Sequence, residues 1–166
     1  INPAVTLGFA LTSRIHWRDA GGYLFAQISG AAAAAQLLKM LFGPIAGLGG
    51  HQPSGSPLQS LGLEVILTFF LMAVIMTTTI NTKQFSSVAG LVIGGTVTLC
   101  TLVGGPISGG SMNPARSFGP ALIGWTWTSH WVYWVGPLLG SALGAVVCSR
   151  LLKDWSNQRC SGQTEI

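Results

Sequence analysis

The sequence predicts an all-α membrane protein: a bundle of transmembrane helices built on an inverted repeat, with two half-helices entering the bilayer from opposite faces. Three observations carry this. Only 7% of the 166 residues are charged and 49% are hydrophobic, whereas a soluble domain has about 25% charged residues. Four apolar stretches are long enough to cross ~30 Å of hydrocarbon. The opening phrase INPAVTLGFAL returns as MNPARSFGPAL at 112–122.

The first half-helix is expected over 2–13. Asparagine is a preferred helix N-cap and proline suits the first helical position, so Asn2-Pro3-Ala4 reads as a helix start. From Pro3 to Ser13 is roughly 16 Å at ~1.5 Å per residue, about half the hydrocarbon thickness. Spans follow at about 20–42, 58–80, 86–104 and 131–152. The first two are separated by GPIAGLGGHQPSGSP, a loop without a charge, and the second and third by the short NTKQF. Asn113-Pro114-Ala115 opens the second half-helix, 113–123, after the approach GGPISGGSM. That approach is too glycine-rich for regular helix. Irregular backbone at membrane depth is tolerated only where it is buried in protein or lines a watery cavity. From 154 to 166 the chain is polar and reads as a tail.

Arg14 and Arg18 precede the first span, Lys83 joins the second to the third, and Arg150, Lys153 and Arg159 follow the fourth. These positions share one face, while the opposite face has little beyond Lys39. By the positive-inside rule the first face, and with it the C-terminus, is cytoplasmic. Small residues repeat every fourth position as Gly136/Gly140/Gly144, Ala26/Gly30/Ala34 and Gly90/Gly94, rows that let helix backbones approach closely in lipid. Gln27 and Gln36 read as interhelical contacts.

The two motifs align over Asn2/Asn113, Pro3/Pro114, Ala4/Ala115, Gly8/Gly119, Ala10/Ala121 and Leu11/Leu122, and the match continues into the following span, where Gly30 pairs with Gly140. Three spans separate the motifs, so they enter from opposite faces. Duplicated units of opposite topology with interrupted helices near the midplane mark transport proteins. The second unit has two spans ahead of its motif, so by symmetry two more spans and a glycine-rich approach are expected ahead of Ile1. The 166 residues alone are not expected to close a pore.

Other classes find little support. The net charge is +4 and the basic residues are not clustered, which argues against a nucleic-acid partner. Cys100, Cys148 and Cys160 have no metal spacing, and His16, His51 and His130 are scattered. No Ser/His/Asp, Cys/His or carboxylate-pair constellation suggests an enzyme, and nothing implies a cofactor or a metal.

The paired Asn-Pro-Ala motifs, Arg116 and the phrase NPARSFGPAL resemble the aquaporin (major intrinsic protein) family over nearly the whole chain. The resemblance implies an aquaporin-like channel domain over 1–153, six spans and two half-helices in a full protomer, a pore in each protomer and a homotetramer in the plasma membrane. It places Asn2, Pro3, Ala4, Asn113, Pro114 and Ala115 at the pore centre. Thr101 and Gly110 join Arg116 at the narrowest ring, whose fourth member lies in the absent span, and the backbone of Gly109, Ser111 and Met112 lines the pore. Strict water channels usually carry histidine where Thr101 stands, so two small residues imply a wider opening. The phrase GPISGGSMNPAR is similar to the nodulin-like intrinsic proteins of plants and their microbial relatives, some of which pass glycerol or metalloid hydroxides. Ser117, Ala121, Tyr133 and Trp134 are closer to the water-channel pattern.

The residues permit a mechanism. A water at the junction would accept hydrogen bonds from the Asn2 and Asn113 amides, and both half-helix dipoles would turn its oxygen inward. Arg116 would repel cations and protons while replacing hydrogen bonds lost from water. Glu64 is the only acid deep in a span. It reads either as a proton relay or, with more support, as the acceptor for backbone N–H groups of the Gly104–Met112 loop. The expected function is passive conduction of water, with or without small uncharged solutes. The alternatives are a wide-filter glycerol or metalloid-hydroxide facilitator, and a structural or adhesive membrane protein with little flux.

Overall fold

The computed structural model describes residues 1–80 and 87–161. Among them are α1 (Pro3–Leu11), α2 (Trp17–Phe42), a short 3-10 turn (Ala46–Gly49), α3 (Pro57–Ile80), α4 (Ala89–Gly104), α5 (Pro114–Gly124) and α6 (Val132–Ser161). Lys83 lies outside the described residues.

Helices α2, α3 and α6 are long and apolar enough to cross a membrane. At 16 residues, α4 rises ~24 Å and falls short of ~30 Å. It begins at Ala89, after a turn at Ser87 and Val88; position 86, where hydropathy starts the span, lies outside the described residues. Its end is set by contact: a Cβ on Gly104 would lie 3.1 Å from the Gly110 Cα, where the returning loop crosses it. Helix α6 runs to Ser161, past 154 where composition suggested a tail, through a stretch without glycine or proline to stop it.

Large apolar side chains face outward as well as inward, and several polar side chains are buried. Leu91, Leu99 and Leu102 of α4, Ile66 and Phe70 of α3, and Leu139, Leu143 and Leu151 of α6 are exposed. Glu64, Ser60, Thr68, Ser108, Ser111, Ser117 and Ser141 are buried. Trp125, Trp127 and Trp131 gather between α5 and α6, with Trp17 at the start of α2, and all four are exposed, as in the aromatic belts of membrane interfaces.

Glycines fix how the helices cross. The row Gly136/Gly140/Gly144 lies along α3. A Cβ on Gly136 would sit 2.7 Å from the Glu64 Cβ, one on Gly144 2.8 Å from the Phe69 carbonyl oxygen, and one on Gly140 would run into the Val65 carbonyl. The two half-helices cross over to the other unit's closing span. Gly8 of α1 faces Ser141 of α6, a would-be Cβ lying 2.8 Å from its Oγ, and Gly119 of α5 meets the Ala31 carbonyl of α2. The Ser141 hydroxyl also donates to the Ala4 carbonyl.

Two of the three expected small-residue rows are different. A Cβ on Gly30, Gly90 or Gly94 would meet nothing within 4 Å among the described residues, and Ala26 and Ala34 are exposed. The α6 row is occupied because α3 lies on it; no described helix takes the corresponding place on α2. Gln27 donates through Nε2 to Thr6 Oγ1 at 3.0 Å, joining α2 to α1. Gln36 is exposed, with no such contact among the described residues. Lys39 reaches the Ile123 carbonyl at 3.2 Å, a cation at the C-terminal end of α5.

Gly140→Val should therefore destabilise the α3–α6 pair by about 1–3 kcal/mol through overpacking. Thermal unfolding of the full-length protein in detergent measures this as a lowered Tm; an unchanged Tm would show that the backbones are not in close contact.

Candidate functional site

The site is built where the N-termini of α1 and α5 meet. Asn2 caps α1, its Oδ1 accepting from the Ala4 N–H at 2.9 Å. Asn113 caps α5, accepting from the N–H groups of Ala115 at 3.1 Å and Arg116 at 3.3 Å. Committing each oxygen to a cap turns each amide nitrogen away from its own helix. The nitrogens then cross: Asn2 Nδ2 donates to the Met112 carbonyl at 2.8 Å, and Asn113 Nδ2 to the Ile1 carbonyl at 2.9 Å. Each motif thus holds the residue that precedes the other. One hydrogen of each amide has no partner among the described residues.

The loop from Gly105 to Met112 leads α4 back into this junction. Gly109 (φ 90°), Gly110 (φ 61°) and Met112 (φ 53°) are left-handed, so the loop cannot satisfy its own N–H groups as a helix would. Glu64, fully buried on α3, supplies the acceptors. Its Oε1 takes the Ser111 N–H at 2.8 Å and the Ser108 hydroxyl at 2.7 Å, and its Oε2 takes the Met112 N–H at 2.7 Å. Met112 is held from both sides, since its carbonyl receives Asn2. Tyr133 of α6 adds a 2.6 Å hydrogen bond to the Ser108 carbonyl.

Thr101, Gly110 and Arg116 converge. Arg116 Nη1 donates to the Gly110 carbonyl at 3.0 Å, with the Ser111 carbonyl at 3.5 Å. A Cβ on Gly110 would lie 3.1 Å from the Thr101 Cα. Position 110 therefore needs glycine twice over, for its φ and for this approach. The Arg116 side chain is exposed, Thr101 is half-buried and Gly110 is buried.

His51 also belongs to this site, and nothing in its sequence context points there. This residue of the loop between α2 and α3 is 8% exposed, and its Nδ1 lies 3.0 Å from Ser117 Oγ. Ser117 Oγ is 2.5 Å from Ser111 Oγ, which donates to the Asn113 carbonyl at 2.9 Å. The imidazole also packs 5.7 Å from the Tyr133 ring, centroid to centroid. Burial first, then the Arg116 guanidinium and His130, push its pKa down to about 4. Burial lowers that of His130 as well. A lone histidine in a Gly/Pro/Ser loop has no periodicity to reveal its target. Ser117 carried one faint signal, its place four residues after Asn113.

A family model described as major intrinsic protein matches residues 1–148. Aquaporin NIP1-4 of Oryza sativa subsp. japonica is 47% identical over 151 residues, covering 87% of this chain and 54% of that protein. Probable aquaporin TIP3-2 of Arabidopsis thaliana is 47% identical over 150 residues, covering 89% and 56%. The chain spans about half the length of these curated relatives. Among solved structures, the aquaglyceroporin from Plasmodium falciparum is similar with a TM-score of 0.66 and 24% identity, over 90% of this chain and 69% of that one. At that identity the likeness speaks to the fold.

Two expectations follow from the geometry. Glu64→Gln puts an NH2 group against backbone donors, and should cost about 1–3 kcal/mol and loosen the pore loop; hydrogen exchange at Ser111 and Met112 reads this, and exchange as slow as in the unaltered protein would contradict it. The second concerns pH. An imidazole that titrates near 4 when docked, against about 6.5 when free, binds its proton more weakly in the docked state. Docking of the loop between α2 and α3 is thus fully favoured above about pH 6.5 and loses about 3 kcal/mol as pH falls toward 4. Limited proteolysis of the 43–56 loop should accelerate over that window, and His51→Asn should remove the pH dependence.

Proposed function

The chain belongs to the major intrinsic protein family, and on that premise we propose that it forms most of a passive transmembrane channel for water and small uncharged solutes. The observation that carries the proposal is the reciprocal clasp of Asn2 and Asn113, each with an amide hydrogen to spare beside the other. A water oxygen between them accepts from both nitrogens. The two half-helix dipoles, positive ends inward, favour the same orientation. That water then points both hydrogens away from the junction and cannot hand a proton through it, the mode of exclusion ascribed generally to aquaporin-type pores.

The second barrier is the ring of Thr101, Gly110 and Arg116. The guanidinium offers donors to a passing solute oxygen and repels cations. The Gly109, Gly110, Ser111 and Met112 backbone lines the approach. Glu64 supports that backbone and takes no part in conduction, because the pore loop uses its acceptors.

One observation favours the wider alternative, a channel that also passes glycerol or metalloid hydroxides. Gly110 has no side chain, and Thr101 is small, so nothing bulky from these two positions narrows the ring. The similarity to relatives named as NIP aquaporins agrees with it. The full protomer is proposed to assemble as a homotetramer in the plasma membrane with a cytoplasmic C-terminus. The orientation follows from Arg14 and Arg18 after α1 and Arg150 near the end of the last span.

Stopped-flow measurement on liposomes carrying the full-length protein tests the reading. Shrinkage should be about tenfold faster than in protein-free vesicles, equivalent to a barrier lower by about 1.4 kcal/mol; equal rates would leave a structural or adhesive protein as the better account. Boric acid and glycerol should enter if the wide ring governs selectivity, and exclusion of both would refute it. Arg116→Ala should raise the leak of cations or of larger neutral solutes about tenfold; no change would remove Arg116 from the barrier.

A further inference from the structure

We propose that His51 is a positioning residue of the constriction: from the outer loop it fixes Gly109 and Ser117, and so sets the carbonyl against which the Arg116 guanidinium lies and the size of neutral solute that passes. The proposal rests on the channel reading above and adds to it a residue outside both Asn-Pro-Ala motifs and outside the ring.

The residues of the pore loop are braced from different sides. Ser108 is held by Glu64 and Tyr133, and Ser111 and Met112 by Glu64. The Gly110 N–H donates to Ser108 Oγ at 3.1 Å. Gly109 is different. A Cβ built on it would meet His51 Cδ2 at 2.8 Å, Cβ at 3.2 Å and Cγ at 3.3 Å, so the imidazole covers the face where a side chain would stand. With φ at +90°, Gly109 has one backbone hydrogen bond, its N–H to the Gly104 carbonyl at 3.1 Å, and its open face lies against the imidazole. One residue later comes the carbonyl that receives Arg116.

The imidazole acts on the other side as well. Through Ser117 Oγ and Ser111 Oγ it is joined to the Asn113 carbonyl, so one side chain holds both the loop that ends at the arginine's acceptor and the helix that carries the arginine. The outer loop is docked independently nearby, by the Ser54 N–H on the Ile107 carbonyl at 2.9 Å and by Gly50 against Pro120. Loss of the imidazole thus frees Gly109 and weakens the docking of the loop, while these two contacts still tether it.

The charged and titratable groups around His51 set the sign of its response to acid. Arg116 faces it from α5, His130 and Tyr133 from the start of α6, and Glu64 stands behind the pore loop on α3. A proton on the imidazole adds a cation beside Arg116, and Nδ1 can then only donate to Ser117. The guanidinium and the imidazolium move apart, and the ring opens on the Gly109 side.

The test compares His51→Ala, His51→Asn and the unaltered full-length protein in liposomes, reading glycerol and water permeability at pH 7 and pH 4. His51→Ala should raise the glycerol-to-water ratio about threefold or more at pH 7, while His51→Asn, which keeps a polar group within reach of Ser117, stays within about twofold. Acid should move the unaltered protein toward the His51→Ala ratio and leave His51→Ala itself unmoved. A ratio indifferent to both substitution and pH overturns the proposal. Should His51→Ala fail to assemble, the pH response of the unaltered protein decides alone. Hydrogen exchange over 107–112 in nanodiscs separates this from the channel reading. If the unaltered protein shows no water flux, faster exchange in His51→Ala sustains the positioning role, and unchanged exchange overturns it.

Discussion

Everything at the centre of this molecule depends on one fully buried carboxylate. A pore needs backbone that is not helical at membrane depth, and such backbone has N–H groups that lipid cannot satisfy. Glu64 resolves the conflict by accepting the N–H groups of Ser111 and Met112 and the hydroxyl of Ser108. With those three residues fixed, Met112 can remain left-handed, its carbonyl can face Asn2, and Asn113 is delivered to the start of α5 in register. Without it the loop would have to bury orphan donors at about 1–3 kcal/mol each, or fold into a helix that closes the path.

The inverted repeat turns this local solution into a joint between two halves. Each half-helix packs on the other unit's closing span, Gly8 at Ser141 and Gly119 at Ala31, and each asparagine amide holds the residue ahead of the other motif. The pairs are symmetry mates, since Ala31 and Ser141 each follow the matched glycines Gly30 and Gly140. Neither unit forms its half of the junction alone. Among the described residues, α3 lies on the glycine row of α6, and no described helix lies on the matching row of α2.

What the sequence made legible was whatever physics is local or repeated. An asparagine before a proline caps a helix wherever it sits, and finding two such pairs with three apolar stretches between them fixes opposed half-helices by counting. The small-residue rows were legible as faces but not as partners, because a glycine every fourth residue says that something approaches and not what. Thr101 could be set beside Gly110 only through a family resemblance, since nothing in the spacing of 101 and 110 measures the return of the loop through the left-handed Gly109 and Gly110. His51 was beyond reach for a related reason. A loop residue finds its target through tertiary docking, and neither hydropathy nor periodicity encodes that.

The constriction then has to be reconsidered in terms of backbone. Gly110 reads at first as the absence of a side chain, a gap that widens the ring. Yet its φ of +61° and its approach to the Thr101 Cα require glycine even in a narrow channel of this shape. In the proposed channel, what passes depends less on which side chain fills position 110 than on where its carbonyl stands, because that oxygen accepts from the Arg116 guanidinium. A carbonyl flanked by glycine on the N-terminal side holds its place only if other groups hold it. Glu64 holds Ser108 on one side and Ser111 and Met112 on the other, and His51 bears on Gly109 between them. Width in such a filter is a property of its supports as much as of its lining.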